Sequence, residues 1–245
     1  MIILGDIGNT ETKICLVKNN KIIKKFLIPS EGKKIRILDK HFRKFNFSKL
    51  KKLLFCSVVP STFKELKKYF RKKTPIKCYE LKELNLRSIL KIDVNFKQVG
   101  SDRLANAISV SSKNKNFVIL DFGTATTFDV LIGKNYKGGI ISPGINLSLN
   151  TLSDKASLIP KINLKKMSKV IGKDTKSAVR SGFFWGYAGL IDNVINLIKR
   201  ETKKSFKVII TGGFSKLFKN SIKTKAKQDF DITINGLIKA TKLIK

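Results

Sequence analysis

Apolar residues fall along this chain in two patterns: short runs closed by glycine or proline, and longer stretches spaced three and four apart. The order of the patterns repeats. Met1 to Val17 reads as a strand, a turn at Gly8-Asn9 and a returning strand, and Lys21 to Ile28 (KIIKKFLI) reads as a third strand. Ile35, Leu38, Phe42, Phe45 and Leu50 carry roughly helical spacing over Ile35 to Lys52. Leu53 to Val59 (LLFCSVV) is a continuous apolar strand closed by Pro60, after which Ser61-Thr62 is expected to cap a helix to about Lys72, and Ile76 to Tyr79 forms another short strand. Val99 to Ser111 (VGSDRLANAISVS) opens with Gly100 and continues as a helix with Leu104, Ala107, Ile108 and Ser111 on one face.

From Asn116 the order starts again. Asn116 to Ile132 is a second hairpin and Tyr136 to Ile141 its third strand. Gly138 to Gly144 (GGIISPG) forms a tight loop before a helical pattern over Leu147 to Asp154. Ser168 to Lys199 contains IGKDT and then a long helical pattern, with Gly182, Gly186 and Gly189 on one face where a neighbouring helix or subunit could pack closely. Lys207 to Thr211 (KVIIT) is a buried strand ending in Gly212-Gly213, and Gly236 to Lys245 closes the chain as a short basic helix. Laid from Met1 and Asn116 onward, the hairpins place Asp6 on Asp121, Gly8 on Gly123, Thr12 on Thr127 and Leu16 on Leu131, a constant offset of 115 residues. The expected organisation is two halves, 1–112 and 113–245, each a β-β-β-α unit, related as a pseudo-twofold pair around a nucleotide cleft.

Composition bounds this picture without redirecting it. With 245 residues and 42% hydrophobic content the chain can bury two real cores. No apolar run approaches the roughly 20 residues a membrane span needs, and the apolar start is cut by Asp6, so no membrane partner and a cytosolic location are expected. Cys15, Cys56 and Cys78 lie far apart with no C-x-x-C motif, which reads as free buried thiols. The formal net charge of +34 raises the possibility of a nucleic-acid partner. The basic residues are nearly all lysines spread along the whole chain, without an arginine-rich arm or interleaved aromatics, and this argues against that partner. A positive field still draws anionic substrates to a cleft.

The candidate chemistry follows by elimination and by fit. Gly172-Lys173 has no upstream glycine or following hydroxyl for a Walker loop, no G-x-G-x-x-G fingerprint occurs, and the single His41 has no nucleophile or metal-ligand set around it. Phosphoryl transfer needs a metal carboxylate, phosphate-binding backbone and a base beside the acceptor hydroxyl. Asp6 supplies the first, held directly or through water to magnesium; Gly8 to Thr12 the second; Asp102 the third. Arg103 is placed to grip an acceptor carboxylate, which suits an acid substrate better than a neutral sugar.

Taken together, DIGNTETK, GSDRLANA, DFGTATTFD, GGIISPGINLSL, IGKDT and ITGG resemble, in identity and order, the motifs of the type III pantothenate kinases, of the acetate and sugar kinase/heat-shock chaperone/actin superfamily. The resemblance covers Met1 to about Phe214. It implies an α/β fold of duplicated ribonuclease H-like (actin-like ATPase) domains, each a mixed sheet opening with a three-stranded antiparallel meander and flanked by helices. It implies phosphorylation of pantothenate to 4'-phosphopantothenate, the first step of coenzyme A biosynthesis. By this resemblance ATP binds Asp6, Ile7, Gly8, Asn9, Thr10, Glu11, Thr12, Lys13 and Thr124, and pantothenate binds Gly100, Ser101, Asp102, Arg103 and Thr175. Asp102 is the general base, and Asp121 holds a monovalent cation, potassium or ammonium. Members are homodimers with the substrate site near the subunit interface. This chain departs in having Ser101 where many members have alanine, and Asp93 and Phe96 where many have a substrate-contacting tyrosine and a proline, so the tyrosine contact is not carried over. The alternative reading is a family member turned regulatory or nucleic-acid-binding protein.

Overall fold

The computed structural model describes residues 1–244 apart from Glu31 and Lys33. Its elements run in the order β1 (Ile2–Ile7), β2 (Glu11–Lys18), β3 (Lys21–Pro29), α1 (Lys34–Phe42), β4 (Lys52–Ser57), α2 (Pro60–Arg71), β5 (Cys78–Glu80), β6 (Lys91–Ile92) and α3 (Ser101–Val110). They continue with β7 (Phe117–Phe122), β8 (Ala125–Ile132), β9 (Asn135–Pro143), α4 (Ile145–Lys155), α5 (Thr175–Thr202), β10 (Lys207–Gly212), α6 (Ser215–Phe218), β11 (Ala226–Gln228) and α7 (Ile232–Ala240). Two compact units result, one of Met1–Ser111, Lys134–Tyr136 and Asp231–Lys245, the other of Ser112–Gly133 and Lys137–Phe230.

Unit one is built on a sheet of order β3-β2-β1-β4-β5. β1 runs antiparallel to β2 and β2 to β3, whereas β1 to β4 and β4 to β5 are parallel. One face of the sheet buries Ile3, Ile7, Leu53 and Phe55 with Leu38 and Phe42 of α1 and Leu66 and Phe70 of α2. Helices α3 and α7 pack with β1 and β4 and with each other. Their crossing is close enough that a Cβ on Gly236 would overlap the backbone carbonyl of Ala105. Asp231–Lys245 thus completes the first unit. The expected halves assigned it to the second, because sequence order says nothing about which helix the apolar face of Ile232, Ile234 and Leu237 will meet; those side chains are fully buried. The expected terminus of the basic helix at Lys245 lies outside the described residues.

Two local expectations also change. Helical spacing beyond Phe42 does not continue α1: Phe45 and Phe47 fold back so that their rings lie 5.5 and 5.7 Å from that of Phe42, a cluster whose spacing imitates a helix. Ser61-Thr62 does not cap α2. Pro60 opens that helix, and buried Thr62 donates to the Ser30 carbonyl at 3.1 Å.

The second sheet has the order β6-β9-β8-β7-β10-β11: its last five strands repeat the arrangement of the first sheet, and the two-residue β6 is added parallel to β9. β7 runs antiparallel to β8 and parallel to β10, which is parallel to β11. The sheet packs on α5 through Phe184, Ala188, Ile191, Ile195 and Ile198, whose steps of three and four keep them on one stripe. Asp174 caps α5 in a reciprocal box with Ser177, and Lys203 ends it in the left-handed conformation. Gly182, Gly186 and Gly189 have no other part of the described chain within 4 Å of where a Cβ would stand, so the close packing expected there is not made within the chain. No helix of the described residues is long and apolar enough to cross a membrane, and all three cysteines are free and buried.

The duplication is real, but its offset is not constant. β1 and β2 are joined by Gly8, Asn9 and Thr10, with Gly8 N–H donating to the Glu11 carbonyl at 3.1 Å; β7 and β8 are joined by Gly123 and Thr124, with Gly123 N–H donating to the Ala125 carbonyl at 3.1 Å. The second turn is one residue shorter. Register then pairs Asp6 with Lys13 but Asp121 with Thr127, and the buried threonine matching Thr12 is Thr126. Turn length sets hairpin register, so an overlay that is right for the first strand slips by one on the second.

Candidate active site

Asp6 stands at the last but one position of β1, opposite Lys13 on β2 and Cys56 on β4. Its carboxylate accepts a hydrogen bond from the Cys56 thiol at 3.5 Å and one from Thr233 of α7. Beyond it the backbone turns at Gly8 to Thr10. That turn is fastened from below: the Ser30 hydroxyl donates to the Gly8 carbonyl at 2.5 Å, Ser30 N–H donates to the Thr10 carbonyl at 3.1 Å, and the hydroxyls of Ser30 and buried Thr12 lie 3.3 Å apart. Asn9, Thr10 and Glu11 are left exposed at the tip, while the hydroxyl pair beneath holds the turn's shape.

Asp102 belongs to the first turn of α3, whose N-cap is Gly100, and its Oδ1 accepts from Arg103 N–H at 2.8 Å. Partial burial raises its pKa, against the smaller lowering effect of Arg103. Burial raises Asp6 to about 6, and the negative charge of Asp102 is the second cause, so the two carboxylates belong to one electrostatic site. A carboxylate held above its usual range inside a half-buried site is a better proton acceptor than a free one. Ser101, between Gly100 and Asp102, is buried, and its hydroxyl is turned to the Glu80 carboxylate. Any contact it makes with a substrate is therefore through its backbone.

Unit two holds the remaining candidates. Asp121 has the same place on β7 that Asp6 has on β1, opposite Thr211 on β10. The strand β10 ends at Gly212 with φ of +83°, where a Cβ would stand 2.7 Å from Asp121 Oδ1 and 2.6 Å from the Phe122 nitrogen. Only glycine lets the backbone come that near the carboxylate. Thr124 is the second residue of the shorter turn, and its carbonyl is approached so closely by Gly144 that a Cβ there would overlap it. Thr175 is exposed in the first turn of α5, beside its capping box.

Asp6 to Lys13 and Gly100 to Arg103 thus lie in unit one, and Asp121, Thr124 and Thr175 in unit two. Four supporting residues escaped the sequence reading: Ser30, Cys56, Glu80 and Thr233. Cys56 is in register with Asp6 in a parallel pair, a relation visible only once strand order is known. Ser30 and Thr233 carry no motif, and Glu80 stood unnoticed at the end of a short strand.

Two mixed sheets sharing one order of five strands, each with an aspartate at the same place on its first strand followed by a glycine turn, define the duplicated actin-like fold of sugar and acid kinases. The chain belongs to the type III pantothenate kinase family, whose model matches residues 2–197. A type III pantothenate kinase of Pelagibacter ubique is 63% identical, the match covering 100% of both chains. Among solved structures, a Campylobacter jejuni protein assigned to the Baf family of transcriptional activators is 22% identical with a TM-score of 0.66, covering 98% of this chain and 97% of that one. A Sinorhizobium meliloti protein assigned as a 2-dehydro-3-deoxygalactonokinase shares 10% identity and a TM-score of 0.64, covering 100% and 99%. At these identities the structural likenesses speak for the fold.

Proposed function

We propose that this protein transfers the γ-phosphoryl group of ATP to the hydroxyl of pantothenate, giving 4'-phosphopantothenate at the first step of coenzyme A biosynthesis, with Asp102 as the general base. The observation that carries the residue assignment is the coupled pair Asp6 and Asp102, with the Asp102 carboxyl raised at the start of α3. Asp102 takes the proton from the acceptor hydroxyl as the oxygen attacks phosphorus, and Arg103, the next residue, pairs with the pantothenate carboxylate. Gly100 and Ser101 line the same substrate through backbone, and Thr175 adds a hydroxyl to it. The turn from Ile7 through Thr12 cradles ATP phosphates with its backbone, Lys13 adds positive charge, and Thr124 touches the nucleotide from the second turn.

Among the described residues no group of three or more His, Cys, Asp or Glu side chains gathers into a metal cage. The residues fit magnesium in the manner usual for phosphoryl transfer, with Asp6 as the protein carboxylate and ATP oxygens and water completing the shell; the ion neutralises charge on the phosphates. Asp121, with the backbone at Gly212 drawn against it, is suited to a monovalent cation, potassium or ammonium. The open glycine stripe of α5 supports a homodimer, and the enzyme is assigned to the cytoplasm, where its substrates are made.

The test is ADP release by purified protein, with pantothenate omitted or added and sodium exchanged for potassium or ammonium. Pantothenate-dependent release that collapses in sodium alone is expected. Indifference to the cation would remove Asp121 from the site. Salt-dependent nucleic-acid binding with no pantothenate-dependent release would overturn the kinase reading in favour of the one suggested by the +34 charge.

A further inference from the structure

The strand paired beside Asp6 and the helix that carries Asp102 are joined through a third carboxylate that no motif contains. Glu80 ends β5, and its Oε1 accepts from the backbone N–H of Ser57 at 3.3 Å and also takes the hydroxyl of Ser101. Its Oε2 accepts from Lys82 N–H at 2.6 Å. Ser57 follows Cys56, the strand partner of Asp6, and Ser101 precedes Asp102. One side chain therefore ties the residue that follows the strand partner of Asp6 to the residue that precedes Asp102. From the same turn the Lys82 ammonium donates to the carbonyls of Lys97 at 3.1 Å and Val99 at 3.0 Å, the segment that leads into Gly100. Leu81 between them is fully buried and anchors the turn.

A neutral side chain could link two of these donors. A carboxylate is the one short group that is acceptor-only and can take three donors at once. Its charge also reaches the strand partner of Asp6: the Cys56 thiol is pushed well above its usual range by burial and by the charges of Asp6, Asp102 and Glu80.

We propose that Glu80 is a positioning residue for phosphoryl transfer, holding the start of α3 through Ser101 so that Asp102 keeps its place relative to Asp6. This rests on Asp102 as the base, the reading given above. The test compares Glu80→Gln, Ser101→Ala, the double variant and Asp102→Asn with the parent enzyme, by steady-state ADP release across pH and by thermal melting. Ser101→Ala removes a single hydroxyl and is the variant that keeps the fold. Glu80→Gln and Ser101→Ala are each expected to lower kcat about tenfold, the scale of a small misplacement of a reacting group, with the KM for ATP unchanged. The double variant is expected to lose no more than the worse single one, since both cut the same link. Parent-like kcat in both singles, losses that multiply in the double, or activity that falls only in step with melting temperature would each overturn the proposal. Parent-like turnover in Asp102→Asn would instead remove the base itself, a failure distinguishable from the others.

Discussion

The cost of holding Asp6 beside Asp102 can be read as stability. Its carboxyl is raised from an ordinary 3.8 to about 6, mainly by burial and then by the Asp102 charge. At 1.36 kcal/mol for each pH unit, the ionised group costs the folded state about 3 kcal/mol. The sign follows from proton linkage: the folded state holds the Asp6 proton more tightly than the unfolded chain, so stability is greatest at low pH and falls as pH rises from about 4 to about 6. Replacing Asp6 by Asn removes this titration while keeping an acceptor for Cys56 and Thr233. Free of nucleotide and with metal chelated, Asp6→Asn should exceed the parent by about half a kcal/mol at pH 4, widening to about 3 kcal/mol at pH 8. Urea unfolding followed by far-ultraviolet circular dichroism measures the gap. The only tryptophan, Trp185, lies in the second unit, so its fluorescence would miss the first. A gap that stays constant with pH, or a variant less stable than the parent at pH 8, would refute the account of the coupled pair. The same variant should lose activity, a case of an active site kept at the expense of stability.

Asp102→Asn should fold and bind ATP, as seen by calorimetry, yet lose turnover by a factor of roughly 100 or more, as removal of a general base does. Gly100→Ala keeps a permitted backbone, φ −60° and ψ 141°, but sets a Cβ 2.5 Å from Asp102 Oδ1. Its kcat should fall by about tenfold or more while melting changes little, and an unaltered kcat would show that Asp102 has another place to go. Gly236→Ala drives a Cβ into the Ala105 carbonyl, backbone against backbone, and should cost about 1–3 kcal/mol in urea unfolding. An unchanged midpoint would mean that α3 and α7 can separate freely.

What the sequence carried best was periodic or local. The hairpins at Met1 and Asn116, the stripe of α5 and the first turn of α3 were all legible, because strand alternation, helical spacing and glycine turns act over a few residues. Legible, too, were the places of Asp6, Asp102 and Asp121 on their elements, since each stands at a fixed offset from a glycine turn or a helix start. Where reasoning used distance along the chain as a proxy for distance in space, it slipped. Phe45 mimicked helical spacing while folding back on Phe42. The overlay of hairpins failed by one residue after Gly123, as the turn shortened.

The aspartate that opened each repeat was thus determined by sequence alone, and so were the hairpins around it, because both follow from pattern. Tertiary structure decided which groups stand against that aspartate. Cys56 reaches Asp6 through a parallel pairing across 50 residues of chain, Thr233 arrives on a helix from the far end, and Glu80 ties Ser57 to Ser101 from a strand of three residues. None of these has a local signature. Hydrogen bonds between distant segments depend on the packing of whole elements, and that packing raises Asp6 to about 6 beside Asp102.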